Sequence, residues 1–181
     1  MKIIKNIQQK FGEFVLKNKQ KNVSRQIKAV GFDKALEIGV LYDATNRNDC
    51  ETVKHFVNYL IEERKKVMAL GYINSKDSSE IVKAHLNYNY FDNKNLSKIC
   101  IPQGRDIESF INTPYTILID LTTKPCFQTE YITTLSKARF KVGASGDYRD
   151  AACDLTISLT ENKSMEYFII QLKHYLKMIH N

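Results

Sequence analysis

The sequence holds little glycine and little proline, with seven and three of them among 181 residues, and it has no low-complexity tract. Its composition is therefore that of a globular chain rather than a disordered one. The sparse glycines form neither the G-x-G-x-x-G nor the G-x-x-x-x-G-K-S/T fingerprint, so two common phosphate-binding motifs are absent. Hydrophobic residues make up 43% of the chain, which is enough for one core and predicts one domain with an appendage.

Cysteine and long apolar runs are also scarce. The four cysteines include no C-x-x-C pair, and the four histidines have no metal-ligand spacing, which argues against a metal site. The start of the chain does not resemble a secretory signal, and no stretch approaches the roughly 20 apolar residues that cross a bilayer. These absences predict a reduced, cytoplasmic protein, with peripheral association as an open alternative.

The motifs of common catalytic sites are missing as well. The sequence has no Ser/His/Asp order and no G-x-S-x-G elbow. We therefore predict no catalytic residue, no metal and no cofactor, and a non-catalytic protein is favoured over an enzyme.

The net positive charge of the chain comes from the first 30 residues. They carry eight basic side chains against one acidic residue, Glu13, whereas residues 31–181 carry 19 of each sign and are neutral. A local basic field attracts anions such as RNA, anionic lipid or an acidic protein. The predicted contact residues are Lys2, Lys5, Lys10, Lys17, Lys19, Lys21 and Arg25.

Residues 1–18 are predicted to form an amphipathic helix. Apolar residues recur at helical spacing along one face, namely Ile3, Ile4, Ile7, Phe11, Phe14 and Val15. The lysine-rich face suits an anionic membrane surface, RNA or a ribosome, or a partner protein. The alternative is that Ile3, Ile7, Phe11 and Phe14 dock on the protein's own domain or on a second subunit in a homodimer. Residues 1–30 are thus predicted to be a helix and linker, and residues 31–181 the main domain.

The main domain alternates between apolar strands and amphipathic helices. Strands are predicted at 35–43, 67–73, 86–91, 115–121, 139–145 and 153–159. Helices are predicted after a cap at Asn48 or Asp49, and at 106–111, 126–138 and 164–179, with a further short helix within 75–85. This alternation predicts a three-layer α/β/α Rossmann-like sandwich with a mainly parallel sheet of five to six strands.

Two aspartates end predicted central strands, in Asp43-Ala-Thr45 and Asp120-Leu-Thr122. Ligands of open α/β sheets bind outside the carboxyl ends of the strands. If the two strands are neighbours, the carboxylates can share a magnesium ion or a sugar hydroxyl. The alternative is that each aspartate bonds the backbone of the loop behind it.

The stretch FKVGASGDYRDAACDLTISL, from Phe140 to Leu159, is predicted to be a strand, a glycine turn, an irregular loop and a strand. Gly143, Ser145 and Gly146 lie where backbone N–H groups can cradle an anion. The alternative is that both glycines only make tight turns. With Asp43, Thr45, Asp120 and Thr122, these residues form a candidate ligand site.

Cys50 and Cys126 are predicted to lie in the first turns of the helices that follow these two strands. A helix N-terminus lowers the pKa of a thiol, so a reactive thiol is one interpretation. The other is a small semi-buried side chain without chemistry.

The succession YTILIDLTT, a helix, LSKARFKVGASGDYRDAACDLTISL and a helix ending in HYL resembles an uncharacterised Bacteroidota family, a domain of unknown function, from residue 38 to the C-terminus. That resemblance implies a small cytoplasmic protein and assigns no functional residue. Ile119-Asp120-Leu121 and the segment from Ser136 to Ser145 are also similar to the N-terminal domain of heptosyltransferase-like glycosyltransferases. This likeness is short and consists mainly of pattern residues, so it implies the fold more than the activity. The second domain that holds the nucleotide sugar in such enzymes is not expected in this sequence, which argues against a complete transferase.

Two functional hypotheses follow. The first is a non-catalytic binding or scaffold domain whose basic N-terminal helix contacts an anionic surface or a partner. The second is a small enzyme or ligand-binding protein, with a phosphate- or sugar-bearing ligand at the carboxyl edge of the sheet.

Overall fold

The protein is built on one six-stranded parallel sheet. The computed structural model describes residues 2–74, 86–160 and 162–179. The strands are β1 (Glu37–Asp43), β2 (Lys66–Ile73), β3 (Tyr88–Asp92), β4 (Ile117–Asp120), β5 (Phe140–Ala144) and β6 (Leu155–Ile157). Their order across the sheet is β3-β2-β1-β4-β5-β6, and every neighbouring pair is parallel. The predicted fold class and the six predicted strands are confirmed.

The helices connect these strands. They are α1 (Lys2–Gln20), α2 (Arg47–Glu62), α3 (Arg105–Asn112), α4 (Phe127–Leu135), α5 (Arg149–Ala152) and α6 (Met165–Met178), with a 3-10 turn at Asn93–Asn95. The short helix predicted within 75–85 lies outside the described residues. The predicted cap of α2 is wrong, because Asn46 occupies that position and accepts from the Asn48 N–H at 2.8 Å.

The sheet is covered on both faces. On one face α2 and α6 bury Val40, Ile119 and Val142 together with Phe56 and Phe168. The opposite face is covered by α3 and α4, which bury a second cluster that includes Leu41, Leu70, Leu118, Phe110 and Ile132. Because β1 and β4 are buried on both faces, their residues read as continuous apolar runs rather than as alternating ones.

The N-terminal helix packs outside α4 and forms a third small core. Leu16 is buried there with Ile101, Phe127, Tyr131 and Leu135. Gly12 permits this close approach, since a Cβ at that position would collide with the backbone oxygen of Ile99. The docking face of α1 is therefore centred on Gly12 and Leu16.

Candidate functional site

The strand order brings both Asp-x-Thr segments to the carboxyl edge of the sheet. β1 and β4 are neighbours, and the order of the strands reverses between them. Leu41 pairs with Asp120, so Asp43 lies two residues further toward the edge. This reversal is the switch point at which open α/β sheets bind their ligands.

Asp120 is fully buried and all of its acceptor positions are in use. Its Oδ1 accepts from the Thr122 backbone N–H at 3.0 Å and from the Thr122 hydroxyl at 2.5 Å. Its Oδ2 accepts from the hydroxyls of Thr133 at 2.8 Å and Tyr148 at 2.6 Å. Four donors stabilise the buried carboxylate, so Asp120 faces the protein interior and organises the residues around it.

Tyr148 ties the loop after β5 to this carboxylate. Its hydroxyl also lies 2.9 Å from the Thr122 hydroxyl and 3.1 Å from that of Thr129. Burial and the adjacent Asp120 raise the pKa of Tyr148 well above its usual value, so the phenol keeps its proton and remains a donor.

Arg149 follows Tyr148 and is the residue that sequence reasoning missed. Its side chain is only 2% exposed. The Nε donates to the Ala144 carbonyl at 2.9 Å, and Nη1 donates to the Thr122 hydroxyl at 3.3 Å. Thr122 thereby stands between a buried cation and the buried carboxylate of Asp120.

Gly143 lies inside β5 and does not make a turn, so that part of the prediction is wrong. Its hydrogen makes room for neighbouring side chains, because a Cβ there would lie 3.0 Å from Cys153 Sγ and 3.2 Å from Arg149 Cδ. Gly146 does lie in the turn, with φ +109°, and its N–H donates to Asp150 Oδ1 at 2.9 Å. The loop predicted to be irregular contains α5.

Two cavities open side by side at this edge, and Thr123 lines both. The first, about 530 Å³, is bordered by Asp43, Thr45, Arg47, Thr122 and Lys124, among others. The second, about 500 Å³, lies at the ends of β5 and β6 and is called here the Arg149 cavity. Its lining includes Ser145, Gly146, Asp147, Arg149, Ser158 and Lys163.

Asp43 differs from Asp120 in its surroundings. It is half-buried, and its Oδ1 accepts from the Thr45 N–H at 2.9 Å. The Thr45 hydroxyl in turn accepts from the Asn74 N–H at 2.9 Å. Burial, then Glu166 and Asp43, raise the pKa of the nearby Asp49.

The lowered pKa on which the hypothesis of a reactive thiol depends is not found at Cys50 or Cys126. Burial raises the pKa of Cys50 to about 11, and burial also raises the pKa of Cys126. Cys126 is the cap of α4 rather than a first-turn residue, and Cys50 donates to the Ala44 carbonyl at 3.3 Å. Desolvation outweighs the helix N-terminus at both thiols.

The five predicted contact residues of the basic segment whose side chains the structure describes divide into two groups. Arg25 forms a two-point ion pair with Asp154, at 2.6 and 2.8 Å, and Lys19 donates to the Tyr131 hydroxyl at 2.8 Å. Lys10, Lys17 and Lys21 are exposed. The side chains of Lys2 and Lys5 lie outside what the structure describes.

Of the residues predicted in the docking alternative, Ile7, Phe11 and Phe14 do not dock on the protein's own domain, and the side chain of Ile3 lies outside what the structure describes. Docking on a second subunit stays a prediction. Ile4, Ile7, Phe11 and Phe14 are 51–64% exposed. They point away from Leu16, which is buried against α4. The helix thus carries one anchored face and one exposed apolar stripe, which is called here the α1 stripe and consists of Ile4, Ile7, Phe11 and Phe14.

Over the residues that the structure describes, no cluster of three or more His, Cys, Asp or Glu side chains could hold a metal ion. Among the same residues, no helix is both long and apolar enough to cross a bilayer.

The chain matches the model of a family of unknown function (DUF6913) over residues 8–179 and therefore belongs to that family. No curated protein and no solved structure matches it. The resemblance to a domain of unknown function is confirmed, whereas the link to Bacteroidota and the likeness to heptosyltransferases stay predictions. The match includes most of α1 with Phe11 and Phe14, and both cavities.

Proposed function

We propose that this member of a family of unknown function is a non-catalytic cytoplasmic protein that binds anionic phospholipid surfaces through α1. The observation that carries the proposal is the α1 stripe, four large apolar side chains exposed on one face of a helix. Contiguous apolar surface of this kind marks an interaction site on a water-facing protein.

The charges beside the stripe favour a lipid surface. On the helix, Lys10 and Lys17 flank Phe14 and Ile7, because residues three and four apart share a face. Long lysine side chains lie along apolar surface and keep their ammonium groups in the headgroup region. A helix with an apolar face and lysines at its border suits the boundary between headgroups and acyl chains.

RNA explains only half of these features. Lysines bind the phosphates of RNA through charge alone, and that interaction leaves the isoleucines and phenylalanines in water. A bilayer with anionic lipid buries the apolar side chains of the α1 stripe and also places the lysines beside negatively charged headgroups.

The expected binding is reversible. Burying half of each stripe side chain contributes about 1 kcal/mol per residue. Each nearby lysine adds about 1 kcal/mol at an anionic surface. For the four stripe residues with Lys10 and Lys17, the total is about 6 kcal/mol and corresponds to an apparent Kd of about 40 μM.

The rest of the fold holds the stripe in place. Leu16 is buried in the third core, and Lys19 bonds Tyr131. Arg25 joins the segment after α1 to Asp154, which precedes β6. Because α1 is attached along its opposite face, the stripe is presented to the bilayer without prior refolding of the helix.

The test is co-sedimentation of the full chain with vesicles of phosphatidylglycerol and phosphatidylcholine, against vesicles of phosphatidylcholine alone. Phe11→Asp and Phe14→Asp, in separate variants, place a charge on the stripe without touching the core. Ile170→Asp is the matched control, since Ile170 is a 61% exposed apolar residue on α6. Lys17→Glu tests the charge term, with the exposed Lys177→Glu as its control.

We expect the wild type to sediment with anionic vesicles, less so at high salt, and both stripe variants to remain in the supernatant. The control variants should sediment like the wild type. Equal sedimentation of Phe11→Asp and wild type would overturn the proposal. A wild-type dimer that Phe11→Asp converts to a monomer, without any vesicle binding, would overturn it too and assign the stripe to a homodimer interface. A stripe-dependent complex with a protein, again without vesicle binding, would assign it to that partner.

A further inference from the structure

We propose that the Arg149 cavity binds the phosphate group of a small phosphorylated metabolite, and that Arg149 is the main residue that contacts this phosphate. This site lies at the carboxyl edge of the sheet, on elements other than α1, and is independent of lipid binding.

Arg149 is fixed from behind, as a binding arginine must be. The bonds from Nε to Ala144 and from Nη1 to Thr122 orient the guanidinium. The Tyr148 ring lies 5.1 Å from its central carbon, and Gly143 leaves room for its methylenes. Thr122 and Tyr148 are in turn fixed by Asp120. Asp120 is therefore a positioning residue: it holds Thr122, and Thr122 in turn orients Arg149.

The guanidinium, which lines the cavity, retains donors that these bonds do not use. Acceptors among the described residues account for three of its five N–H groups, which leaves one on each terminal nitrogen. Two N–H groups on adjacent nitrogens match the spacing of two phosphate oxygens. Phosphate binding by an arginine uses this fork in preference to a single point of charge.

The acid that faces Arg149 in the cavity is a weak competitor. Asp147 Oδ2 lies 3.3 Å from Nη2, and the Asp147 side chain is 45% exposed. Water screens a carboxylate in that position and weakens the pair. A phosphate, with more charge and three terminal oxygens, competes more strongly than Asp147 for the guanidinium.

The remaining lining suits a phosphomonoester. Lys163 lies at the rim and adds a second cation. Ser145, Ser158 and Thr160 offer hydroxyls to further oxygens. A volume of about 500 Å³ exceeds what a phosphate fills. The adjoining cavity with Asp43 and Thr45 has room for the hydroxyl groups of the same molecule.

The test measures binding of ribose 5-phosphate and of inorganic phosphate to the full chain by isothermal titration calorimetry, at constant ionic strength. Ribose without phosphate is the ligand control. Lys163→Ala removes the rim cation, and Lys177→Ala removes an exposed lysine far from the cavity as its matched control. Asp147→Asn removes the competing carboxylate, and asparagine tolerates the left-handed backbone at that position, φ +52°.

Wild type should bind both phosphate probes and not ribose. Lys163→Ala should weaken binding about 3-fold to 5-fold, which is the range of an exposed charge pair. Asp147→Asn should tighten binding about 3-fold by the same reasoning, and Lys177→Ala should leave it unchanged. Arg149→Lys, which keeps the charge and loses the fork, should weaken binding at least about tenfold.

The opposite signs expected for Lys163→Ala and Asp147→Asn keep the test valid even if Arg149→Lys fails to fold. Absence of saturable binding of both phosphate probes to the wild type would overturn the proposal. So would binding that neither Lys163→Ala nor Asp147→Asn changes. If only ribose 5-phosphate binds, the site takes a phosphomonoester; if inorganic phosphate binds equally well, the phosphate alone is recognised.

Discussion

The segments Asp43-Ala-Thr45 and Asp120-Leu-Thr122 follow adjacent parallel strands and have the same Asp-x-Thr pattern. In both, the aspartate accepts from the backbone N–H of the threonine two residues on. The carboxylate of Asp120 then receives three hydroxyl donors and no solvent, whereas Asp43 remains half-buried and lines a cavity. The same local motif thus has two roles. In one loop Asp120 is an internal support, that is, a buried acceptor that holds the surrounding side chains, and in the other loop Asp43 lines the cavity. What separates them is the layer above, where α4 and Tyr148 cover Asp120.

The largest expected effect is the loss of stability in Asp120→Asn. The substitution removes a buried charge that four hydrogen-bond donors stabilise. The NH₂ group of the new asparagine is itself a donor, so it faces hydroxyls that also donate, and two donors that face each other form no hydrogen bond. We expect a decrease of about 3–5 kcal/mol in the free energy of unfolding, typical of a disrupted buried polar network. Urea denaturation measures it. A decrease below about 1 kcal/mol would show that the two aspartates are energetically equivalent.

Lys141 extends the comparison to a buried cation. Its ammonium group donates to the carbonyls of Thr133 at 2.7 Å and Thr134 at 3.1 Å. Among the described residues it forms no ion pair with a carboxylate. Burial, and then repulsion by Arg25, lower the pKa of Lys141 to about 8. The unfolded chain has the usual lysine pKa of about 10.4 and so binds the proton more tightly between these two values.

The sign of the pH dependence follows from this difference. Between pH 8 and about 10 the unfolded chain holds more protons at this site, so the free energy of unfolding rises with pH. We expect the wild type to gain about 2 kcal/mol relative to Lys141→Met over that interval. The two proteins are compared by urea denaturation at several pH values. The contributions of tyrosines and cysteines that titrate in the same pH range are common to both proteins and cancel in the difference. A constant difference would show that Lys141 is not desolvated.

Sequence periodicity predicted the strands well because each central strand is a short apolar run between polar turns, as in IGVLY of β1. It did not predict which face of α1 docks. Phe11 and Phe14 form the more apolar face, yet docking depends on Gly12, whose importance appears only when Ile99 is placed opposite it. Arg149 was missed for a similar reason. An arginine in a polar loop is usually exposed, and its burial depends on Gly143, Tyr148 and Thr122, which come from other parts of the chain.

Removing one donor from Asp120 should have an intermediate effect. Tyr148→Phe deletes the bond of 2.6 Å to Oδ2 and leaves the Thr133 hydroxyl in place. We expect a loss of about 1–3 kcal/mol of stability, the usual cost of one lost bond to a buried charge. Tyr167→Phe is the matched control, because Tyr167 lies on α6, away from this network. Equal effects of the two variants would mean that Tyr148 does not stabilise the carboxylate.

The smallest expected effect on stability is that of Asp43→Asn. The amide oxygen of asparagine can still accept from the Thr45 N–H, so the free energy of unfolding should change by less than about 0.5 kcal/mol. The electrostatic effect should nevertheless be visible, since the charge of Asp43 helps to raise the pKa of Asp49. We expect the pKa of Asp49 to fall in the variant, measured by NMR titration of its carboxyl carbon. An unchanged pKa, or a loss of stability as large as that of Asp120→Asn, would contradict the assignment of Asp43 to the cavity wall. The first result would place its carboxylate away from Asp49, and the second would make it an internal support like Asp120.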